Sequence, residues 1–149
     1  MKRPESVLVA IHTPALDFLL LHRRPPTAFW QSVTGSLEAG ETPREAALRE
    51  VYEETALVVR DADLVDWQLS NRYHIPPAWA VRYAPGVTHN TEHVFSLCVP
   101  EACTIRRQPD EHDAADWFPL AAALAHSWSW TNRDIFHLLA RHGGPAPSS

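Results

Sequence analysis

Residues 35–57, GSLEAGETPREAALREVYEETAL, form the most informative stretch of the chain. Thr42 is a suitable N-cap, Pro43 a suitable first helical residue, and Glu45 stands where a capping box has its second member. Alanine, leucine and arginine, which are good helix formers, continue the pattern. The sequence therefore predicts a helix from Pro43 to about Thr55.

Three glutamates, Glu50, Glu53 and Glu54, share one face of that helix, because residues three and four apart are neighbours. Like charges this close repel one another unless a cation lies among them. Oxygen-only ligands select hard cations, and Mg2+ is usually held by a few carboxylates together with substrate phosphates, with Mn2+ favouring the same oxygens. The alternative is a solvated face with ion pairs along the helix, which is common. The cluster favours a phosphate-processing site that uses Mg2+, with Mn2+ as a substitute.

The same stretch resembles the Nudix box, GX5EX7REUXEEXGU, in which U is aliphatic. Six of its seven fixed positions and both aliphatic ones match. The matching residues are Gly35, Glu41, Arg49, Glu50, Val51, Glu53, Glu54 and Leu57. Ala56 stands at the second glycine, which predicts a different exit from the helix. Membership of the Nudix family implies an α/β (α+β) fold, an α/β/α sandwich with a mixed β-sheet, and hydrolysis of a diphosphate linked to another group.

The resemblance also implies roles for the residues of the box. Glu50 and Glu54 are the first choice as metal ligands, with Glu53 as a third ligand or the base. Arg49 is expected to orient the carboxylates by bidentate hydrogen bonds. Glu41 is expected to act as a structural or outer-shell group.

A further carboxylate is expected from a distant loop, as in many members of the family. Glu111, in the segment PDEHDAADWF, is the candidate for an additional metal ligand or base, with Asp110 and Asp113 as alternates. The competing interpretation is an ordinary solvated acidic loop.

Five other segments resemble a bacterial branch of the family that acts on dihydroneopterin triphosphate in folate biosynthesis. FWQSVTGS at 29–36 and RYAPGVTHNTEH at 82–93 are the distinctive ones. KRP at 2–4, RR at 23–24 and SWSWTNR at 127–133 also match, the last with Trp130 and Thr131 inserted. The implied reaction releases pyrophosphate and leaves the monophosphate. The alternative is a (deoxy)nucleoside triphosphate pyrophosphohydrolase that prefers dATP.

A pterin triphosphate needs an aromatic wall for its ring, hydrogen-bonding partners for its polar edge and cations for its phosphates. The candidates are Trp30, Trp128 and Trp130 for the wall, Thr34 and Asn132 for the hydrogen bonds, and Lys2, Arg23 and Arg82 for the phosphates. The alternatives are core packing for each tryptophan and plain solvation for each cation.

Composition limits the remaining possibilities. A length of 149 residues with 45% hydrophobic content predicts one globular domain, taken as residues 1–142, followed by a disordered tail, GGPAPSS, at 143–149. The net charge of -5 argues against a nucleic-acid partner. Since no apolar run reaches about eighteen residues, no membrane span is expected. Cys98 and Cys103 are interpreted as reduced thiols of a cytoplasmic protein, for which a monomer is favoured.

Hydrophobic patterns outside the box predict the other elements. The expected strands are 6–13, 17–23, 28–34, 64–69, 78–83, 93–99, 103–107 and 115–118, and the expected helices are 120–125 and 133–141. His89 and His93 lie four apart, but a His-ligated metal is disfavoured because the histidines are scattered and lack zinc-site spacing.

Overall fold

The computed structural model describes residues 1–106 and 109–142, so the expected disordered tail at 143–149 lies outside the described residues. The strands are β1 Glu5–His12, β2 Asp17–Arg23, β3 Trp30–Gln31, β4 Val33–Ser36, β5 Leu64–His74, β6 His89–Cys98 and β7 His112–Pro119. The helices are α1 Pro43–Thr55, α2 Leu120–His126 and α3 Trp130–His142. Asp61–Asp63 and Pro77–Arg82 form short 3-10 helices.

One mixed seven-stranded sheet has the path β3-β2-β1-β6-β5, with β4 added to β1 and β7 added to β2. β1 runs parallel to β6 and antiparallel to β4. β1 pairs with β2 only where His12 lies opposite Phe18. Segment 30–36 therefore enters where β1 and β2 separate, with β3 on β2 and β4 on β1. This placement brings Gly35 next to Val7 of β1, in the strand that precedes the loop into α1.

The two faces of the sheet carry separate hydrophobic cores because side chains alternate along each strand. Val7, Val9 and Ile11 of β1 belong to the core that also contains Ala46, Ala47 and Val51 of α1. Leu8 and Ala10 belong to the opposite core, with Ala123 of α2 and Ile135, Phe136 and Leu139 of α3. The predicted α/β/α sandwich with a mixed sheet is confirmed.

Helix α1 begins as predicted, with Thr42 as N-cap, Pro43 in the first turn and a capping box closed by Glu45. Its exit differs from the prediction. Ala56 takes the left-handed conformation, φ 62° and ψ 12°, and its N–H donates to the Tyr52 carbonyl at 2.8 Å. The helix thus ends in an αL motif, with Ala56 at the left-handed position that glycine usually occupies.

Replacing Ala56 by Gly is expected to raise the free energy of unfolding by roughly 0.5–1 kcal/mol, because glycine removes the Cβ strain but adds freedom to the unfolded chain. Urea denaturation measures the change. Ala39→Gly is the control, since exposed Ala39 has no positive φ and should gain nothing. If both substitutions lowered the free energy of unfolding equally, the left-handed conformation of Ala56 would not be strained.

Two predicted strands are wrong. Segment 78–83 lies largely in the 3-10 helix Pro77–Arg82, because proline fixes φ for a first helical turn and lacks the N–H that a ladder needs. Residues 103–106, the described part of the predicted strand 103–107, form none. The Cys103 carbonyl accepts from Trp117 Nε1 at 2.8 Å, and Arg106 N–H donates to the Thr55 carbonyl at 3.3 Å. Both edges of β6 are already paired, with β1 and β5.

Among residues 1–106 and 109–142, no helix combines the length and the hydropathy needed to cross a membrane.

Candidate active site

Helix α1 turns inward two of the three glutamates that share one face, Glu50 and Glu54. Glu50 is 9% exposed and Glu54 is 2% exposed, whereas the side chain of Glu53 is 46% exposed. Burial raises the pKa of the Glu50 carboxyl, and the Arg49 guanidinium opposes this shift. Burial raises the pKa of Glu54 well above its ordinary value, and the charges of Glu50 and Glu111 raise it further. These carboxylates therefore need a cation or a proton.

Glu54 also lies close to His112, the first residue of β7, and to Glu111, which directly precedes that strand. One ligand atom each from Glu54, Glu111 and His112 lie within 4.8 Å of one another. Within the described residues, neither oxygen of Glu54 has a hydrogen-bond partner, and His112 Nε2 lies 3.7 Å from Oε1. Burying an unpaired carboxylate is costly. The chemistry of this donor set, two carboxylates and an imidazole beside Glu50, fits a divalent cation.

Topology explains how Glu111 reaches α1. β7 pairs with β2 so that His112 lies opposite Arg23, and Arg24 N–H donates to the Glu111 carbonyl at 3.0 Å. Of the two alternates, Asp113 instead accepts from His22 Nδ1 at 2.7 Å, which lowers its pKa. Asp110 is exposed and lies outside the group around Glu54. The structure thus places Glu111, and neither alternate, beside the helix.

His112 and Glu53 depart from what the sequence suggested. His112 is fully buried, and its proximity to Glu54 was missed because its partners are distant in sequence. Its position directly after Glu111, at the start of a strand, was the available signal. Glu53, expected as a third ligand or the base, lies outside the group and interacts with Arg49 Nη1 at 3.2 Å.

Arg49 joins the carboxylates of the box. Its Nε and Nη2 donate to the two oxygens of Glu41 at 2.7 and 2.8 Å, and its Nη1 donates to Glu50 Oε1 at 2.7 Å. Nη2 also donates to the Ser36 carbonyl at 3.0 Å. The pKa of Glu41 is lowered by its hydrogen bonds to Arg49. Arg49 therefore holds Glu50 in register with the loop that precedes α1.

Gly35 leaves room for the Glu50 carboxylate. A Cβ built on Gly35 would overlap the carboxyl group of Glu50. Gly35→Ala is therefore expected to displace Glu50 and to lower kcat about 100-fold, the cost of moving a catalytic group by about 1 Å. Steady-state kinetics over a metal titration measure this effect, with circular dichroism to verify folding. Unchanged turnover would show that the position of Glu50 does not matter.

A cavity of about 470 Å3 lies between the sheet, the start of α3 and residues 73–83, and Gly35, which packs against the Glu50 carboxyl, lines it. The cations expected to bind phosphate, Lys2, Arg23 and Arg82, all line it. Burial lowers the pKa of Lys2, the charges of Arg82 and Arg23 lower it further, and the charges of Glu50 and Glu111 oppose the shift. Lys2 thus lies between the cationic side of the cavity and the carboxylates.

Aromatic side chains form another wall of the cavity. Trp79, Trp128 and Trp130 line it, with Trp79 and Trp128 edge to face at 5.5 Å. Phe29 stacks on Trp128 at 4.3 Å. Trp128 and Trp130 are 42% and 46% exposed, so part of each indole remains available to a ligand. The sequence suggested Trp128 and Trp130 but missed Trp79.

Trp30 is also expected from the sequence to stack on the substrate, but the structure places it away from the cavity. It is not among the residues that line the cavity. Its ring lies 5.0 Å from those of Phe118 and His22 and packs against the core beneath α2 and α3. The pairing of β3 with β2 turns this indole into the core, so the structure supports the packing interpretation.

Thr34 and Asn132 line the cavity but are already hydrogen-bonded within the protein. Thr34 Oγ1 donates to the Val7 carbonyl at 2.8 Å, which leaves its oxygen able to accept. Asn132 Oδ1 accepts from Ser32 N–H at 2.8 Å, and its Nδ2 donates to Ser129 Oγ at 2.6 Å. Asn132 therefore ties α3 to segment 30–36, and one amide hydrogen remains for a ligand.

Comparisons with known proteins agree with this geometry. A model of the NUDIX domain family matches residues 2–139. Dihydroneopterin triphosphate diphosphatase of Escherichia coli is 44% identical over 135 residues, covering 89% of each chain. The enzyme of that name from Haemophilus influenzae is 42% identical over 103 residues, covering 67% of this chain and 65% of that protein.

A solved structure gives the same result. The Escherichia coli dihydroneopterin triphosphate pyrophosphohydrolase matches with a TM-score of 0.85 and 43% identity, over 92% of this chain and 94% of that one. Because the family model spans most of the chain and relatives exceed 40% identity, the chain belongs to the NUDIX family of hydrolases.

Proposed function

We propose that this protein hydrolyses 7,8-dihydroneopterin triphosphate to 7,8-dihydroneopterin monophosphate and pyrophosphate, with Mg2+ as the cofactor. The observation that carries the proposal is the cavity, which has aromatic and cationic walls and is lined by Gly35, the residue against which the Glu50 carboxyl packs. A flat ring with a triphosphate tail suits that arrangement. The related Escherichia coli and Haemophilus influenzae proteins carry the matching name.

The metal site in this proposal consists of Glu50, Glu54 and Glu111, with His112 beside them. Oxygen-rich donor sets favour Mg2+, and Mn2+ suits the same ligands. When bound, the cation neutralises phosphate oxygens and makes water a stronger nucleophile. Arg49 holds Glu50 in place, and Glu53 supports Arg49 from the exposed side.

The substrate site consists of the cavity walls. Lys2, Arg23 and Arg82 neutralise the phosphates and draw the tail towards the carboxylates. Trp79 and Trp128 hold the ring by stacking. Among the described residues Arg23 Nε is buried without a hydrogen-bond partner, and a phosphate oxygen would satisfy it. Thr34 and Asn132 complete the hydrogen-bonding groups next to segment 30–36.

Product analysis tests the proposed reaction. Dihydroneopterin triphosphate should yield one pyrophosphate and one monophosphate, and kcat/KM should exceed that for dATP. Release of three successive phosphates would refute the cleavage site. A preference for dATP would instead identify a nucleoside triphosphate pyrophosphohydrolase, in which adenine occupies the cavity.

We also propose that the protein acts as a cytoplasmic monomer on this small triphosphate and not on nucleic acid. Cys98 and Cys103 are free thiols, as in proteins of reducing compartments. The net charge of -5 disfavours a polyanionic nucleic-acid partner. Light scattering during size-exclusion chromatography tests the monomer, and a dimer mass would refute it.

A further inference from the structure

Strand β6 carries two polar side chains where an apolar core would otherwise continue. Asn90 and Glu92 are two residues apart and so lie on the same face of the sheet as Val94. Val94 belongs to the core that contains Leu8. Asn90 is 2% exposed and Glu92 is 4% exposed, and both line the cavity. The inner end of the cavity is therefore polar although it is buried.

Neighbouring side chains fix the position of Asn90 and Glu92. Asn90 Nδ2 donates to Ser6 Oγ at 2.8 Å and to the Tyr73 hydroxyl at 2.9 Å. The pKa of Glu92 is raised by burial, and an interaction with the Thr131 side chain opposes this shift. This set of contacts holds both side chains before any ligand binds.

Asn90 and Glu92 each have one side-chain oxygen that no neighbouring group in the described chain satisfies. In the part of the chain that the structure describes, Asn90 Oδ1 and Glu92 Oε1 are buried without a hydrogen-bond partner. An unsatisfied buried acceptor is costly, and such groups in a folded protein call for an explanation. Two adjacent acceptors in a cavity are explained by a ligand that presents several N–H donors to them.

The possible ring systems, pterin, guanine and adenine, differ in the hydrogen-bond donors and acceptors along their edges. A 2-amino-4-oxo pterin presents N3–H and the 2-amino group side by side, and a carboxylate can accept from both in a bidentate manner. Guanine presents the equivalent pair of donors. Adenine presents a ring-nitrogen acceptor next to its amino group, so the lone pairs of a carboxylate and adenine would repel. A site built to hydrogen-bond a polar group rejects an analogue that lacks the group.

We propose that Glu92, assisted by Asn90, binds the N3–H and 2-amino edge of the pterin ring and sets the preference for pterin over adenine. This inference rests on the proposed function for the identity of the ring. The triphosphate then extends from the inner cavity past Lys2 to Glu50. Glu92 is a specificity residue, separate from the residues that act on the phosphates.

Glu92→Gln tests the proposal, because glutamine keeps the shape but places an amide donor against the ligand's donors. We expect kcat/KM for dihydroneopterin triphosphate to fall about 100-fold or more, because each hydrogen bond to a charged group is worth at least about tenfold. The value for dGTP should fall in proportion, and that for dATP should change less than about threefold, within the range of an unaffected contact. Exposed Glu101→Gln is the matched control.

Other outcomes separate the inference from the proposed function. Equal losses for dihydroneopterin triphosphate, dGTP and dATP would indicate a merely structural role and overturn the inference. A wild-type pterin preference that Glu92→Gln leaves intact would overturn it while the proposed function stands. A wild-type preference for dATP would refute the proposed function, and the ratio of dGTP to dATP would still test whether Glu92 selects for an amino-oxo edge. Thermal unfolding of the variant checks that it is folded.

Discussion

Replacing Glu54 by Gln is expected to lower kcat about 1000-fold or more and, at the same time, to raise the melting temperature of the metal-free protein. The loss of activity follows because a metal ligand contributes several kcal/mol to transition-state stabilisation, and each 1.4 kcal/mol is about tenfold in rate. The gain in stability follows because Glu54 is 2% exposed and lies near Glu50 and Glu111, whose charges raise its pKa. A neutral amide removes that repulsion.

Thermal unfolding at pH 8, with and without MgCl2, supplies the decisive comparison for Glu54. A ligand that binds only the folded state stabilises it, so Mg2+ should raise the melting temperature of the wild type and have little effect on Glu54→Gln. The control Glu101→Gln should match the wild type in kcat, in the melting temperature of the metal-free protein and in the rise of that temperature with Mg2+. Reduced stability of metal-free Glu54→Gln, or an unchanged response to Mg2+, would mean that Glu54 is a structural residue.

The free energy of unfolding is expected to depend strongly on pH through the titration of Glu92. Burial raises the pKa of this carboxyl from 4.5 in the unfolded chain to about 7 in the folded protein. Between these values the folded state binds more protons than the unfolded state, so stability falls as the pH rises. The full cost is present above pH 7 and amounts to about 3 kcal/mol, at 1.36 kcal/mol per pKa unit.

The free energy of unfolding of Glu92→Gln should therefore exceed that of the wild type by an amount that grows between pH 5 and pH 8. Most of the roughly 3 kcal/mol, at about 1.36 kcal/mol per pKa unit, should be reached within this range. Urea denaturation of both proteins across this range measures the difference, which cancels titrations that they share. Tyr73, the neighbouring titratable group, has its pKa raised by burial and by the charge of Glu92 and stays neutral over the range. Glu101→Gln should show no such trend. A difference that is constant with pH would contradict the burial of a titrating Glu92.

These two residues differ in how far sequence could predict them. Glu54 belongs to a spacing pattern within one helix, so its face and its neighbours Glu50 and Glu53 follow from local geometry. Glu92 belongs to HNTEH, whose polar residues look like the exposed end of the strand 93–99 predicted from the apolar residues that follow. Strand periodicity extended back from Val94 assigns Asn90 and Glu92 to a buried face, but it does not reveal a cavity there.

The tryptophans also show that sequence alone does not reveal which side chains line the cavity. The sequence treats Trp30 and Trp128 alike, since each lies in a segment that resembles the same branch of the family. In the structure Trp30 packs against Phe118 in the core, whereas Trp128 lines the cavity with Trp79. Aromatic burial depends on which face of the sheet each strand turns inward, and that choice depends on pairing between distant strands.

Helix α1, its capping box and the carboxylates on one face can be predicted from residues 42–55 alone, because capping and helical spacing are local interactions. The residues of the box also identify the family. Long-range packing, by contrast, buries Glu54 beside Glu111 and His112 while Glu53 stays exposed, and it accompanies the left-handed end of the helix at Ala56. Only the tertiary structure brought Asn90 and Glu92 to the inner end of the cavity. These features depend on contacts between residues far apart in the chain, which the hydrophobic packing of helices on the sheet brings together.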